Sequence, residues 1–273
     1  KTGLHRRLHT NTYYGFAKLL SMDAVAPYWG DFMDYIDALK AQQNNERIDY
    51  LINDCKRMGL YAFQYKDQVR TMFDEQVKAA TLIQYSVGGD EMHRGYYCPS
   101  PTYDLIVGKC NRGKVLKSII EDSKISFQYY FDKNNNLKAI NHLSVDLEVI
   151  IYNDAGSVGI SFNTDDSINN ISECRYIDGR IQSYTKCLYN SYTASITSYE
   201  KEDYIYKEGL LEATISYTFL PDTKLLCYEQ YVFEHDEEGY LKTYKVIENE
   251  NGIEKEDSYW KGHFFKISKK RKV

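Results

Sequence analysis

Apolar and polar residues alternate over much of the second half of the chain. The clearest run extends from Leu211 to Phe219, where every second residue is apolar and the residues between are Glu, Thr and Ser. Residues 125–131 and 145–151 have the same period of two. Strands with one buried and one solvated face have this pattern. The sequence therefore predicts antiparallel strands from about residue 125 onward.

The first 80 residues instead space their apolar side chains three and four positions apart, which is typical of amphipathic helices. Gly59 follows one such segment as a helix C-cap would. The helical period ends near Gly88 and Gly89. We therefore predict an α+β fold, with a helical bundle in residues 1–97 and an antiparallel β domain in residues 98–273. The predicted helices are residues 13–20, 27–39, 45–58 and 66–80.

A strand-turn-strand signature repeats within the predicted β domain. In each copy an aromatic residue is followed by an acidic or Asn/Gly turn and then by an aliphatic residue. Glycine at such turns supplies the positive φ that short hairpins require. Consecutive hairpins of this kind predict a β-meander. The copies are residues 131–137, 176–181, 206–211 and 233–241, with a weaker one at 152–158.

These hairpins resemble the YD-type repeats of Rhs-like proteins and, less closely, MORN-type repeats. The resemblance covers residues 125–250, and Asp132, Asp178, Glu208 and Glu234 stand at its acidic position. It implies a strip or curled sheet of hairpins that serves as a scaffold or a binding surface. It implies no catalytic residue.

Charge is distributed unevenly along the chain, whose formal net charge is −5. Residues 196–259 contain 16 Asp and Glu against 6 Lys, a balance of −10, whereas residues 260–273 carry +6. A net negative chain is not typical of proteins that bind nucleic acid or anionic membranes. The chain contains 27 tyrosines, and several of them lie in this acidic region. Aromatic side chains often anchor interfaces.

The sequence therefore suggests a protein-binding module, such as an immunity protein that neutralises a basic toxin like a bacterial nuclease. A solvated sheet face explains the acidic region equally well. Two other functions stay open: a structural hairpin-repeat module of a secreted or cell-surface protein, and a hydrolase or transferase. The predicted partner-binding residues are Tyr228, Tyr231, Glu234, Asp236, Glu237, Glu238, Tyr240 and Tyr244.

The polar segment from Asp90 to Arg94 is the best candidate for an enzyme site. Its Asp, Glu, His and Arg could supply acid-base chemistry or bind an anion at the junction of helices and sheet. A solvated loop would have the same composition. His5 and His9 are spaced to share a helix face, as metal ligands do, but a basic leader is the alternative. We predict no catalytic residue, no metal site and no cofactor.

The six cysteines include no C-x-x-C pair. If Asp178 and Gly179 form a two-residue turn, Ile177 faces Arg180 and Cys174 faces Ser183, which leaves Cys187 roughly 13 Å away along its strand. Free thiols favour a reducing cytoplasm, and a signal peptide or anchor removed before Lys1 is the alternative. The sequence has no apolar run of membrane-spanning length. The basic residues 268–273 resemble a nuclear-import signal or a solvated tail.

Overall fold

A computed structural model describes residues 45–106, 112–118, 124–143, 145–250 and 253–260, all within the unit Gln43–Val273. Thirteen strands of these residues form one antiparallel sheet. Strands β3 to β13 lie side by side in chain order, while β1 pairs with β3 and β2 forms the outer edge. The strands are β1 Leu82–Val87, β2 Lys114–Val115, β3 Phe127–Phe131, β4 Leu137–His142, β5 Asp146–Asn153, β6 Gly156–Phe162, β7 Ile168–Ile177, β8 Arg180–Asn190, β9 Ser195–Lys207, β10 Leu210–Leu220, β11 Leu225–His235, β12 Leu241–Glu250 and β13 Ile253–Trp260.

Two helices, α1 (Asn45–Tyr65) and α2 (Val69–Ala79), pack against one face of the sheet, which we call the helix face. Their apolar stripes form a core with every second residue of the central strands. Arg57 of α1 adds a two-pronged ion pair, with its guanidinium nitrogens 2.7 and 2.8 Å from the carboxylate of Glu173 in β7. The buried residues of this core include Leu51, Met58, Phe73, Val149, Ile160, Ile171, Cys187 and Tyr199.

The opposite face of the sheet, which we call the loop face, is covered by residues 88–106, which follow β1. This segment contains a 3₁₀ turn at Gly95–Tyr97 and a short helix, α3 (Pro101–Ile106). Leu105 of α3 packs into a cluster of Tyr, Leu and Phe side chains from β7 to β12. Because side chains alternate along a strand, each central strand is buried on both faces.

The repeated signature coincides with the hairpins of the meander. Its five copies are the connections β3–β4, β5–β6, β7–β8, β9–β10 and β11–β12. In an antiparallel meander every second connection lies at the same end of the sheet. All five acidic turns therefore lie along one end, which we call the repeat end.

A β-bulge accompanies the turn in four of the five copies. The register shifts immediately after Leu137, Ile181, Leu211 and Leu241, so that the next residue has no partner across the strand pair. In the copies at 131–137, 176–181 and 206–211 the aliphatic residue pairs directly with the aromatic residue of the signature. The aromatic–aliphatic pair thus packs on the loop face, and the bulge restores the register beyond it.

The predicted antiparallel meander is confirmed, and the predicted helices at 45–58 and 66–80 correspond to α1 and α2. The predicted end of the first of these at Gly59 is wrong. Helix α1 continues to Tyr65 because Ala62 extends the buried stripe beyond the glycine. The helices predicted at 13–20 and 27–39, and with them the larger bundle, fall outside the described residues.

Strand β1 was not predicted from the sequence, and it lies before the predicted division at residue 98. That division stays a prediction.

The predicted pairing of Ile177 with Arg180 is confirmed, but Cys174 faces Tyr184 and not Ser183, because the bulge shifts the register. The five described cysteines are free thiols.

Candidate functional site

The loop of residues 88–95, which we call the cleft loop, lies over the centre of the loop face. Gly88, Gly89, Arg94 and Gly95 all have positive φ. Glycine is required at Gly89, since an added Cβ would lie 2.6 Å from the carbonyl oxygen of Arg112. The sequence Val-Gly-Gly therefore allows the chain to leave β1 and fold back over the sheet.

A buried ion pair fixes the end of the cleft loop to the sheet. Arg94 donates from Nη2 and Nε to Oε1 of Glu148, at 2.7 and 2.9 Å, and from Nη2 to the hydroxyl of Ser172 at 3.0 Å. Both charged side chains are only 5% exposed. Burial by itself raises the pKa of Glu148, but the charge of Arg94 outweighs this effect and holds the pKa well below its usual range.

A cavity of about 160 Å³ that is partly open to solvent lies between the cleft loop and the loop face, and we call it the loop cleft. Its lining is mixed in charge and mostly polar. Residues of the sheet form the floor, and residues 90–94 form the opposite wall. The floor residues are Phe127, Ile140, His142, Asp146, Glu148, Ser161, Asn170 and Lys186.

His93 is held within this cleft by contact with Tyr184. The two rings stack with their centroids 5.9 Å apart, and Nδ1 is hydrogen-bonded to the tyrosine hydroxyl. Nε2 is buried without a hydrogen-bond partner, 3.5 Å from Oε1 of Glu148. Burial lowers the pKa of His93 despite the nearby carboxylate, so the imidazole is neutral near pH 7.

His142 lies between two carboxylates at the other end of the cleft. Its Nδ1 is 3.6 Å from Oδ1 of Asp146, and its Nε2 is 3.7 Å from Oδ1 of Asp90. The ring also stacks on Phe127, with centroids 4.2 Å apart. An imidazole oriented by carboxylates is an arrangement that general acid-base catalysis uses.

The described residues do not bring three His, Cys, Asp or Glu side chains together in a group that could hold a metal ion. His5 and His9, the metal ligands considered in the sequence, lie outside those residues. The basic cluster at 268–273 also lies outside them.

A second buried polar cluster joins α3 to the loop face. Glu202 of β9 accepts hydrogen bonds from the hydroxyls of Ser100 and Tyr204, both at 2.6 Å. Beside it, the hydroxyls of Thr102 and Thr214 are 2.8 Å apart. Burial raises the pKa of Glu202 even though these hydrogen bonds oppose the shift.

The predicted partner-binding residues do not form one surface. Glu234, Asp236, Glu237 and Glu238 are exposed at the β11–β12 turn, and Tyr240 follows them. Three tyrosines lie elsewhere. Tyr231 and Tyr244 pack beside Phe233 on the loop face, whereas Tyr228 lies on the helix face, with the guanidinium of Arg47 5.2 Å from its ring.

The wall of the cleft was predicted as a candidate site from the sequence, but its floor was not. Asp146 and Glu148 alternate with apolar residues, a pattern that predicts a solvated face of the strand. That face is instead covered by the cleft loop. Their polar neighbours on β6 to β8, Ser161, Asn170 and Lys186, carry no spacing signal along the chain. The polar, glycine-rich segment at residues 88–95 was the only feature of the sequence that indicated a site here.

No protein-family model matches the chain, and no curated protein matches it. Among the described residues, none of the helices has both the length and the apolar character needed to cross a bilayer.

Proposed function

We propose that the chain is a protein-binding module that captures a basic partner with the repeat end of strands β9 to β12. The observation that carries the proposal is the set of four exposed carboxylates at the β11–β12 turn. Glu234 accepts a hydrogen bond from the hydroxyl of Thr243, and Asp236 accepts from the backbone amides of Glu238 and Tyr240. These partners are neutral, so they leave the negative charge of the turn uncompensated.

The preceding hairpin adds one more exposed carboxylate at this end of the sheet, since its Glu212 pairs with Lys207. Glu208 is exposed at the β9–β10 turn, two strands away along the same end of the sheet. Two strand spacings amount to about 10 Å. This distance is close to the Debye length of about 8 Å at physiological ionic strength, so the fields of the two turns overlap. An extended negative edge of this kind accelerates association with a basic partner.

An immunity protein that neutralises a basic toxin, such as a bacterial nuclease, is the proposed biological role. The acidic edge complements a basic surface that itself binds nucleic acid. A cytoplasmic location belongs to this proposal, since a toxin with an intracellular target must be neutralised there.

The test is a pull-down from lysate of the source organism at low and high salt, followed by association kinetics with the protein captured. We expect a basic partner that elutes with salt. The Glu237→Lys and Glu238→Lys double variant should slow association about tenfold or more at low salt and flatten its salt dependence. Asp222→Lys is the matched control, because Asp222 is exposed in the β10–β11 turn at the opposite end of the sheet.

Equal association rates for the wild type, the double variant and the control would remove the repeat end from the interface. A captured partner that stays bound at high salt would argue against an electrostatic interface.

An enzyme is the second candidate, and the position of His142 between Asp146 and Asp90 favours it. The hydrolase or transferase site would then be the loop cleft. A His142→Gln variant that keeps the wild-type melting temperature should lose turnover on whichever substrate of a broad panel the wild type converts. Absence of turnover by the wild type across hydrolase and transferase substrates would count against this candidate.

A further inference from the structure

The loop cleft contains polar groups that the described protein does not satisfy. Nε2 of His93 and Oδ1 of Asn170 are buried without a hydrogen-bond partner. A buried donor or acceptor left unpaired costs about 1–3 kcal/mol. Both residues line the same cavity, so a molecule bound there lies next to both side chains.

The neighbours of His93 determine whether its Nε2 donates or accepts a hydrogen bond. The carboxylate of Glu148, 3.5 Å from Nε2, favours the tautomer that carries the proton there. In that tautomer Nδ1 accepts the hydrogen bond from Tyr184. Nε2 is then a hydrogen-bond donor at the cleft, whereas Oδ1 of Asn170 is an acceptor.

The two ends of the cleft differ in charge. Lys186 of β8 lies at one end, and no carboxylate of the described residues comes within ion-pair distance of it, although Glu200 is its neighbour across the strand pair. Asp146 of β5 and Asp90 flank His142 at the other end. Strands β5 and β8 are three spacings apart, about 14 Å between backbones, and the lysine side chain shortens the gap between the charges.

We propose that the loop cleft binds a small zwitterion, an amino-acid-like molecule with its carboxylate and ammonium groups at opposite ends of a short chain. The carboxylate binds Lys186 and Nε2 of His93, and the ammonium binds Asp146 and Asp90. This site is separate from the repeat end, so it does not depend on the partner-binding proposal.

The size of the cavity agrees with this class of ligand. A volume of about 160 Å³ corresponds to about five liquid water molecules, each of which occupies about 30 Å³. It admits a small organic molecule and excludes a folded peptide.

Isothermal titration calorimetry of the whole chain tests the proposal with four probes: 4-aminobutanoate, 6-aminohexanoate, hexanoate and hexylamine. We expect one of the two zwitterions to bind with a stoichiometry of one. Hexanoate and hexylamine should each bind about tenfold or more weakly, because each lacks one charge-assisted contact.

Two variants locate the binding site. Lys186→Met keeps the apolar stem of the lysine, and Asp146→Asn keeps the shape of the aspartate. Each should weaken zwitterion binding about tenfold or more, and Lys186→Met should also abolish the preference for the zwitterion over hexylamine. Lys207→Met and Asp178→Asn are the matched controls, since both residues are exposed at the repeat end, and they should leave binding unchanged.

Circular dichroism melts of every variant show whether a loss of binding reflects unfolding. Three results would overturn the proposal: no heat of binding with any probe, equal affinity for hexylamine and the zwitterions, or wild-type affinity in a folded Lys186→Met variant. The first result would mean that the cleft holds only water. None of these results tests the proposal that the repeat end binds a basic partner.

Discussion

At the scale of single residues, Gly159 determines how closely the cleft loop approaches the sheet. An added Cβ would overlap the carboxylate of Glu148, the guanidinium of Arg94 and the hydroxyl of Ser172. We expect Gly159→Ala to lower the free energy of unfolding by about 3–5 kcal/mol, because the methyl group separates a buried ion pair. Urea denaturation measures the change.

Gly59 provides the matched control for this substitution. It lies within α1, and an added Cβ would meet nothing within 4 Å. Gly59→Ala should therefore raise the free energy of unfolding by about 0.5–1 kcal/mol, the usual gain on replacing glycine within a helix. Effects of the same sign in both variants would contradict the steric explanation for Gly159.

Glu202 makes stability depend on pH. Burial raises its pKa in the folded protein above the ordinary value of 4.5, so the folded state binds this proton more tightly than the unfolded state. The resulting stability is present below the unfolded pKa and is lost as pH rises through the folded pKa. Wild type should therefore lose stability relative to Glu202→Gln as pH rises above about 4.5.

Urea denaturation of wild type and Glu202→Gln at several pH values between about 4 and 8 tests this expectation. Other titrating groups cancel in the difference between the two proteins. A difference that grows in favour of the wild type with rising pH would mean that Ser100 and Tyr204 stabilise the carboxylate more than burial destabilises it.

At the scale of elements, the hairpin turns differ in how well their residues suit the backbone. Glu208 and Gly209 both have positive φ, 50° and 86°, as a two-residue turn of type I′ requires. Asparagine adopts this conformation more readily than glutamate. Glu208→Asn should therefore raise the free energy of unfolding by about 0.5–1 kcal/mol, measured by urea denaturation.

Glu238→Asn is the control for this turn. It removes the same charge from the repeat end, but Glu238 is not among the described residues with positive φ. Its stability should change little. An equal gain in both variants would show that relief of charge repulsion, and not turn geometry, is responsible.

The hairpins could be predicted from the sequence because their contacts are local. An aromatic residue, its turn and the aliphatic partner span about ten residues, and period-two alternation identifies the strands on either side. The bulges could not be predicted in this way. Register beside a turn depends on which side chains pack on the loop face, as the shift of Cys174 from Ser183 to Tyr184 illustrates.

The candidate site was only partly predictable because its contacts join distant parts of the chain. Arg94 and Glu148 are 54 positions apart, and Ser100 and Glu202 are 102 positions apart. Residues 90–94 stood out by composition, whereas nothing local distinguishes a carboxylate that will be covered from one that will be solvated. The predicted tyrosine surface divided between two faces for a similar reason, since alternate residues of a strand point in opposite directions.

At the scale of the whole described unit, helices and sheet share one core. Met58 of α1 is completely buried among residues that include Cys187 and Tyr199 of the sheet. Tyr199 also donates a hydrogen bond of 2.6 Å to Asp54 of α1. A core with contributions from both elements should unfold in one cooperative step, whereas independent domains at 1–97 and 98–273 would unfold separately.

The Met58→Ala variant distinguishes these two cases. The cavity it creates should cost about 2–5 kcal/mol, and Leu60→Ala in the same helix should cost little because Leu60 is 64% exposed. Native-state hydrogen exchange, read by mass spectrometry, reports α1 and strands β6 to β9 separately. If the core is shared, Met58→Ala lowers protection in the strands as much as in α1. Loss of protection confined to the helices would instead support a division near residue 98, with the sheet stable on its own.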